Sequence, residues 1–203
     1  KQIRDLKIKV ELNTEATPEL LKKEPPEAII VATGSKPKKL PVPGFDSAKT
    51  IEAIDLLLQN KEAGENVVVI GGGLTGCEIA YDLAKKNKRV TIVEMQDDIL
   101  NVPGLCAANS NMLRELLIYH QVEVLKSTKL KAITPDGVRV VTGELEREIP
   151  ADSVILAIGY DSYTPYLQEF KEISPEVYVI GDASHVGNLM DVVWGAYDVA
   201  LKI

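Results

Sequence analysis

The stretch from Val67 to Glu94, VVVIGGGLTGCEIAYDLAKKNKRVTIVE, constrains the fold of this chain more than any other. It opens with Val67 to Ile70, an apolar and mostly β-branched run that is typical of a parallel strand buried on both faces. Three glycines follow at Gly-x-Gly-x-x-Gly spacing, and the residues from Leu74 to Lys86 repeat their apolar positions with the period of a helix. A second run that is mostly β-branched, Arg89 to Val93, predicts the next strand. The stretch therefore predicts a strand, a glycine turn, a helix and a strand of an α/β fold with a parallel sheet.

Each glycine of this turn has its own expected role. Gly71 permits the tight turn, Gly73 lets the backbone approach a pyrophosphate, and Gly76 lets the helix pack on the strand. The free N–H groups and the positive dipole end at the start of the helix favour a phosphate. The turn is therefore expected to bind a dinucleotide; the alternative is a glycine turn that binds no nucleotide. The expected binding residues of the turn are Gly71, Gly72, Gly73, Leu74, Thr75 and Gly76.

Glu94 stands where a dinucleotide site needs an acid. It lies 23 residues beyond Gly71, close to the spacing of about 20 at which a carboxylate binds a ribose 2′-hydroxyl. A carboxylate accepts hydrogen bonds from that hydroxyl and repels a 2′-phosphate. The next four residues are Met, Gln, Asp and Asp, with no Arg or Lys to bind a phosphate. The sequence therefore favours NAD(H) over NADP(H), and the alternative for Glu94 is a solvated strand end.

Composition excludes several classes of partner. The chain has 203 residues and a net charge of −7, which argues against binding to nucleic acid or to an anionic membrane surface. No apolar run approaches the roughly 20 residues of a membrane span, and Lys1 opens a charged stretch unlike a signal peptide. Cys77 and Cys106 are too far apart for a metal or redox pair, so no metal site is expected. These features predict a protein of the reducing cytoplasm.

Other elements follow from periodicity and turn residues along the chain. The proline-rich segment from Lys36 to Gly44 predicts an extended connection between domains. The expected elements are a short strand over Ile8–Leu12, a buried strand over Ala28–Ala32, a short helix over Ile51–Gln59, a helix over Asn109–His120, a β-meander over 129–149, apolar strands over Ser153–Ile158 and Glu176–Ile180, and a last helix over Leu189–Ile203.

Three motifs in this order resemble the pyridine nucleotide–disulfide reductase superfamily. They are IVATGSKP at Ile30–Pro37, GGGLTGCE at Gly71–Glu78 and VIGDA at Val179–Ala183. The VTIVEM sequence at residues 90–95 and the helix after the last motif are most similar to the C-terminal reductase portion of the 2-enoate reductase and 2,4-dienoyl-CoA reductase group. Members of that group are flavin and iron–sulfur enzymes. The resemblance covers nearly the whole chain.

The resemblance implies a Rossmann-like NAD-binding domain, with a parallel sheet and a β-meander, inserted in a partial FAD-binding Rossmann-like domain. Residues 1–62 would be a partial FAD-binding domain and linker, residues 63–160 the NAD(H)-binding domain, and residues 161–203 the C-terminal part of the FAD-binding domain. NADH would pass a hydride directly to the flavin. That step needs no side-chain acid or base, so no catalytic residue is expected.

The resemblance also implies roles for individual residues. Asp182 would accept hydrogen bonds from the ribityl chain of FAD, and Gly181 would let the backbone come close. Thr33 and Gly34 would lie near the flavin. Glu78 would lie near the nicotinamide ring, and Gly159 would be the nucleotide-side equivalent of Gly34.

Departures from the family pattern limit what this chain can do alone. No Gly-x-Gly-x-x-Gly precedes Ala32, so the FAD pyrophosphate anchor is missing. Paired redox cysteines and a cysteine cluster are missing too. We therefore expect a fragment of a larger flavoenzyme that binds FAD weakly or not at all, with FMN and the iron–sulfur cluster outside this chain.

The expected partners are the remaining domains of that enzyme, and the sequence leaves open a homo-oligomer and the final substrate. Some relatives hold ADP and do not use NADH, so the alternative function is a nucleotide-holding structural or regulatory module.

Overall fold

The computed structural model describes residues 1–203 and divides them into two compact units. Unit 1 comprises residues 1–36 and 161–203, and unit 2 comprises residues 37–160. The sequence placed residues 37–62 with the first segment, whereas their contacts place them in unit 2. The reason is a strand at Thr50–Glu52, which pairs with a strand at Ser153–Leu156 in the sheet of unit 2. The assignment of the segments to FAD and NAD(H) stays a prediction.

Seven α-helices and twelve strands make up the two units. The helices are α1 Gln2–Asp5, α2 Pro18–Leu21, α3 Ala53–Leu57, α4 Leu74–Lys85, α5 Ala107–Tyr119, α6 Leu167–Ile173 and α7 Leu189–Ala200. The strands are β1 Ala28–Val31, β2 Ser35–Pro37, β3 Thr50–Glu52, β4 Asn66–Ile70, β5 Arg89–Val93, β6 Glu123–Leu125, β7 Thr128–Thr134, β8 Gly137–Thr142, β9 Leu145–Pro150, β10 Ser153–Leu156, β11 Tyr160–Ser162 and β12 Glu176–Val179. A short 3₁₀ helix spans Gly181–Ala183. No helix is long and apolar enough to cross a membrane.

A five-stranded parallel sheet is the centre of unit 2, with the strand order β3-β10-β4-β5-β6. The central strand β4 carries Val67, Val68 and Val69, each at most 2% exposed. Such β-branched residues suit a strand that is covered on both faces. One face packs against α4, whose apolar stripe includes Ile79, Ala80 and Leu83. The predicted strand–turn–helix–strand order is therefore confirmed.

The β-meander covers the other face of the sheet. Strands β7, β8 and β9 form a three-stranded antiparallel sheet. Val138 and Val140 of β8 are fully buried and pack in one apolar cluster with Val68 and Val154 of the parallel sheet. Unit 2 is thus a layered structure of helices, parallel sheet and meander. The sequence predicted the parallel sheet and the meander, but not that the meander covers one face of the sheet.

Unit 1 contains a two-stranded parallel sheet. Strand β1 pairs with β12, with Ala28 opposite Glu176 at one end and Val31 opposite Val179 at the other. Phe170 of α6 is buried in the small apolar cluster beside them. The predicted strand over Ile8–Leu12 is wrong, because that segment has no neighbouring strand with which to pair.

Candidate functional site

The glycine turn joins the end of β4 to the start of α4, and the fold itself requires two of its glycines. Gly71 has a φ of +107°, and a Cβ atom there would lie 2.3 Å from the carbonyl oxygen of Ala157. A Cβ atom on Gly76 would lie 1.9 Å from the carbonyl oxygen of Gly71. Any larger residue at either position would collide with backbone atoms. These two glycines therefore build the turn and the helix–strand packing, as predicted.

Gly73 is different, because the fold does not require a glycine there. Its φ of −69° and ψ of −174° suit any residue. A Cβ atom at this position would meet no heavy atom within 4 Å. The open space beside Gly73 is therefore available to a group that comes close to the backbone from outside the protein.

Free backbone donors lie next to this space. Gly73 is the N-cap of α4 and has no side chain with which to cap the helix. The amides of Leu74, Thr75 and Gly76 donate to no acceptor within the protein, and the first intrahelical bond from this turn runs from the Cys77 amide to the Gly73 carbonyl. Unpaired N–H groups and the positive end of the helix dipole together favour an anion at this position.

Glu94 lies directly after β5 and contacts the turn. Its side chain is 7% exposed. Oε2 accepts a hydrogen bond from the Gly72 amide at 2.5 Å, and Oε1 accepts one from the Gln96 amide at 2.7 Å. Each carboxylate oxygen can accept a further bond. The structure therefore brings Glu94 to the glycine turn, and it adds a bond between them that the sequence did not predict.

The loop after Glu94 forms one wall of the turn. The Leu100 amide donates to the Gly72 carbonyl at 2.7 Å, and a Cβ atom on Gly72 would lie 2.6 Å from the Cγ2 of Ile99. Arg114 of α5 holds this loop, because its guanidinium donates to the Ile99 carbonyl and pairs with Asp98 at 2.9 Å. The Arg114 bond holds the pKa of Asp98 below its usual value. Sequence reasoning missed this pair, since no local pattern links a loop to a helix so far along the chain.

The other two residues predicted on the nucleotide side, Glu78 and Gly159, make no hydrogen bond to Glu94. Glu78 is exposed on α4, where it lines a cavity of about 330 Å³ between α3 and α4 together with Thr75 and Asp82. Gly159 follows β10 with a φ of +90°, and its carbonyl accepts a hydrogen bond from the Lys38 amide at 3.0 Å. A left-handed conformation at this exposed position explains the glycine without a ligand.

In unit 1, Asp182 is held by two serines that the sequence analysis did not single out. The Ser35 hydroxyl donates to Asp182 Oδ2 at 3.1 Å, and the Ser162 hydroxyl donates to the Asp182 carbonyl at 2.7 Å. The Gly187 amide donates to Asp182 Oδ1 at 3.3 Å. Ser35 and Gly187 therefore position the carboxylate, and Ser162 holds the backbone of the same residue.

The other predicted flavin neighbours follow the two strands of unit 1: Thr33 and Gly34 come after β1, and Gly181 comes after β12. Gly34 and Gly181 have φ values of +74° and +59°, so each favours glycine through its backbone conformation. Thr33 Oγ1 donates to the carbonyl of Tyr163, whose own amide donates to the Gly34 carbonyl at 3.0 Å. The ATGS and GDA motifs thus come together in unit 1.

An FAD molecule would find only part of its site in unit 1. The residues above offer a carboxylate and glycines at two strand ends. Unit 1 contains no Gly-x-Gly-x-x-Gly turn whose free amides could hold a pyrophosphate. The residues present therefore fit FAD incompletely.

The two cysteines occupy opposite environments. Cys77 is fully buried in α4, and burial raises the pKa of its thiol to about 12. Cys106 is exposed and is the N-cap of α5, where the nearby backbone N–H groups of Asn109 and Ala108 favour the thiolate and lower the pKa of the thiol. Neither belongs to a cluster of His, Cys, Asp or Glu residues that could hold a metal ion.

A glycine turn between a parallel strand and a helix, with an acid at the end of the next strand, is the arrangement of the Rossmann-like dinucleotide-binding α/β folds. Comparison with known protein families supports this fold assignment. The chain belongs to the pyridine nucleotide-disulphide oxidoreductase family, whose profile matches residues 7–200. The fold class and superfamily predicted from the sequence are therefore confirmed.

Several proteins similar to this chain are reductases or oxidases. The chain is 41% identical to the cinnamate reductase of Clostridium sporogenes over 202 residues, which are 99% of this chain and 30% of that protein. It is 35% identical to the NADH oxidase of Thermoanaerobacter brockii over 184 residues, which are 88% of this chain and 28% of that protein. The solved structure of a 2-naphthoyl-CoA reductase in complex with 2-naphthoyl-CoA superposes with a TM-score of 0.85 at 31% identity, covering 100% of this chain and 31% of the other. The chain thus spans about a third of these relatives.

Proposed function

We propose that this chain is the NADH-binding portion of a flavin-dependent oxidoreductase, and that it passes a hydride from NADH to a flavin. The observation that carries the proposal is the open space at Gly73. The backbone conformation and packing of the protein leave that glycine unexplained, whereas close approach of a pyrophosphate explains it.

Each group of the site has a task in binding. The free amides of Leu74, Thr75 and Gly76 hold the pyrophosphate. Glu94 keeps the turn in place through the Gly72 amide and accepts a hydrogen bond from the ribose of the adenosine. Its negative charge disfavours the 2′-phosphate of NADP(H), so the preferred cofactor is NAD(H). Glu78 and Gly159 lie on the nicotinamide side.

Unit 1 contributes to a flavin site in the complete enzyme. Asp182, Gly181, Thr33 and Gly34 contact FAD there, with the pyrophosphate anchor supplied from outside this chain. The bound dinucleotide supplies the hydride, while the protein groups bind and orient the two cofactors. FMN and an iron–sulfur cluster belong to the rest of the enzyme, which works in the cytoplasm.

The final substrate is an activated C=C bond of an enoate or enoyl-CoA type. The names of the cinnamate and 2-naphthoyl-CoA reductases support this class, since both substrates are conjugated acids or their thioesters. The reductase names describe those proteins, and the enoate class is our proposal for this one.

Separate titrations with NADH, NADPH and ADP test the cofactor. We expect NADH to bind more tightly than NADPH and ADP, read by calorimetry and by the fluorescence of the reduced nicotinamide. The test variant is Gly73→Val, whose side chain fills the open space beside the turn. This variant should bind none of the three nucleotides. If the variant bound NADH as tightly as the unchanged chain does, the pyrophosphate would not bind at the glycine turn.

A second candidate function is a module that holds ADP and transfers no hydride. The free amides of Leu74, Thr75 and Gly76 and the Glu94 carboxylate would suit the adenosine diphosphate part of a dinucleotide by itself, which favours this candidate. In that case ADP would bind at least as tightly as NADH, because the nicotinamide half would add no contact.

A further inference from the structure

The glycine turn is joined to helix α5 through two peptide groups. The guanidinium of Arg114 donates to the carbonyl of Ile99. The amide of Leu100 belongs to the same peptide group as that carbonyl, and it donates to the carbonyl of Gly72 at 2.7 Å. The Gly72 carbonyl in turn shares its peptide group with the amide of Gly73. Two peptide groups therefore connect the Arg114 guanidinium to the Gly73 amide in one hydrogen-bonded row.

This row fixes the direction of the Gly73 amide. A trans peptide group is planar and its N–H points away from its C=O, and the chain contains no cis peptide bond. Because the Gly72 carbonyl points to the Leu100 amide, the Gly73 N–H points the opposite way. The buried Cys77 thiol donates to the same carbonyl at 3.3 Å. The Gly73 amide itself donates to no acceptor within the protein, so the last donor of the row is free for a ligand.

The middle of the row is held in an unusual conformation. Leu100 is buried and has a φ of +56°, a left-handed conformation that residues other than glycine rarely adopt. Such a conformation persists only where surrounding contacts enforce it. The bond of 2.7 Å between Leu100 and Gly72 is also shorter than the usual distance of about 2.9–3.0 Å. Hydrogen bonds in a row polarise and strengthen one another, so the row makes the Gly73 amide a better donor.

Arg114 begins this row, and a second cation nearby does not. The Arg114 side chain donates to the loop at two places, the Ile99 carbonyl and the Asp98 carboxylate. Lys126 also pairs with Asp98, at 3.4 Å, but its ammonium makes no bond to the loop backbone. An ion pair with Asp98 holds the loop near the helix, whereas the bond to the Ile99 carbonyl orients one particular peptide group. The two cations therefore differ in the contact that leads to the glycine turn.

We propose that Arg114 is a positioning residue for nucleotide binding: through the two peptide groups it aims the Gly73 amide at a phosphate oxygen of the dinucleotide. In this role Arg114 needs no contact with the cofactor. The inference deepens the proposed function and rests on it, because it requires a pyrophosphate at the glycine turn. It adds a side chain of α5 to the residues that set the affinity, which the glycine spacing and Glu94 do not include.

Titrations of NADH and ADP into three variants test the proposal. Arg114→Met keeps the apolar stem and loses every hydrogen bond to the loop. Its affinity for both nucleotides, which share a pyrophosphate, should fall about tenfold or more. Arg114→Lys keeps the charge but not the fork that reaches two acceptors, so it should restore part of the lost affinity. The matched control is Lys126→Met, which removes the other cation paired with Asp98 and should leave both affinities unchanged.

Amide NMR spectra separate positioning from a loss of stability. In the unchanged chain, ADP should shift the Gly73 amide resonance, and the Leu100 amide should exchange slowly with solvent. In Arg114→Met the Leu100 amide should exchange at least about tenfold faster, while the amides of β4 keep their protection. A variant that was only less stable would lose protection in β4 as well.

Two results would overturn this inference alone. One is that Arg114→Met binds NADH and ADP as tightly as Lys126→Met does, and the other is that it keeps the Leu100 amide protected. If the unchanged chain bound neither nucleotide, the proposed function would fail and this inference with it. If Arg114→Met did not fold, an unchanged nucleotide affinity in Arg114→Lys would overturn the inference, and a weaker affinity would support it.

Discussion

The carboxylate of Glu94 and the backbone amide of Gly72 form a hydrogen bond of 2.5 Å at the mouth of the glycine turn. The acid proposed to bind the cofactor thus also fixes the loop proposed to bind the phosphate. A second bond, from the Gln96 amide to the other oxygen, leaves the carboxylate little freedom to turn. In the proposed site, ribose recognition and phosphate recognition would be coupled through this one buried side chain.

Removing the charge of Glu94 should loosen the turn. In Glu94→Gln one of the two amides would face an NH₂ group instead of an oxygen, and such an unsatisfied buried donor costs about 1–3 kcal/mol. We expect a lower free energy of unfolding in urea and weaker NADH binding, with the NADH-to-NADPH affinity ratio shifted toward NADPH. The control is Glu78→Gln, on an exposed side chain, which should leave stability unchanged. If Glu94→Gln kept the NADH-to-NADPH affinity ratio of the unchanged chain, Glu94 would not take part in binding the ribose.

Two glycines of the turn should respond differently to substitution. Gly73→Val has space for its side chain, so it should cost at most about 1 kcal/mol of stability through the helix N-cap, yet weaken NADH at least about tenfold. Gly76→Ala collides with the Gly71 carbonyl and should lose about 1–3 kcal/mol or more. Thermal melts and NADH titrations of both variants check this. A strongly destabilised Gly73→Val would mean that the fold requires this glycine after all.

The two thiols should differ in their reaction with iodoacetamide. Cys106 is exposed and its pKa is lowered, so its thiolate forms at a lower pH than that of a free cysteine and its alkylation begins at that lower pH. Cys77 is buried with a pKa of about 12, so it should react only when the protein unfolds. Mass spectrometry of the labelled chain across neutral pH, with Cys106→Ser as the control, measures both. Fast labelling of Cys77 in the folded chain would contradict the burial of its side chain on α4.

The Asp98–Arg114 pair should make part of the free energy of unfolding depend on pH in the acidic range. Because the folded-state pKa of Asp98 is lowered, its contribution is present above the unfolded pKa and is lost as pH falls through the folded value. Asp98→Asn should therefore flatten the dependence of urea stability on pH on the acid side and leave other pH ranges little changed. Asp97→Asn, one residue earlier in the same loop, is the control. Equal slopes in Asp98→Asn and the unchanged chain would show that the pair does not couple to folding.

The purified chain should be colourless. Unit 1 holds Asp182 in place but offers no glycine turn for a pyrophosphate, so added FAD should separate from the protein on gel filtration. The absorbance of the flavin near the protein peak measures this. A yellow protein that retains FAD would mean that the missing turn is not needed for binding.

Much of unit 2 could be predicted from its sequence, because its strands and helices carry strong local patterns. The spacing of Gly71, Gly73 and Gly76 and the position of Glu94 are sufficient by themselves to indicate the turn and the acid. The Glu94–Gly72 bond, the Arg114 support and the serines around Asp182 could not be predicted, since each joins residues far apart in the chain. The segment Ile8–Leu12 shows the opposite error: its alternation is real, but a strand needs a partner as well as a pattern.

The hydrogen bond between the Lys38 amide and the Gly159 carbonyl, at 3.0 Å, closes unit 2 upon itself. The first and last residues of unit 2, near Lys38 and Gly159, therefore lie next to each other. A unit with adjoining ends can be cut out of a gene or moved into another host protein without stretching the chain on either side. The same geometry lets it be produced by itself, rejoined head to tail, or replaced by a short linker.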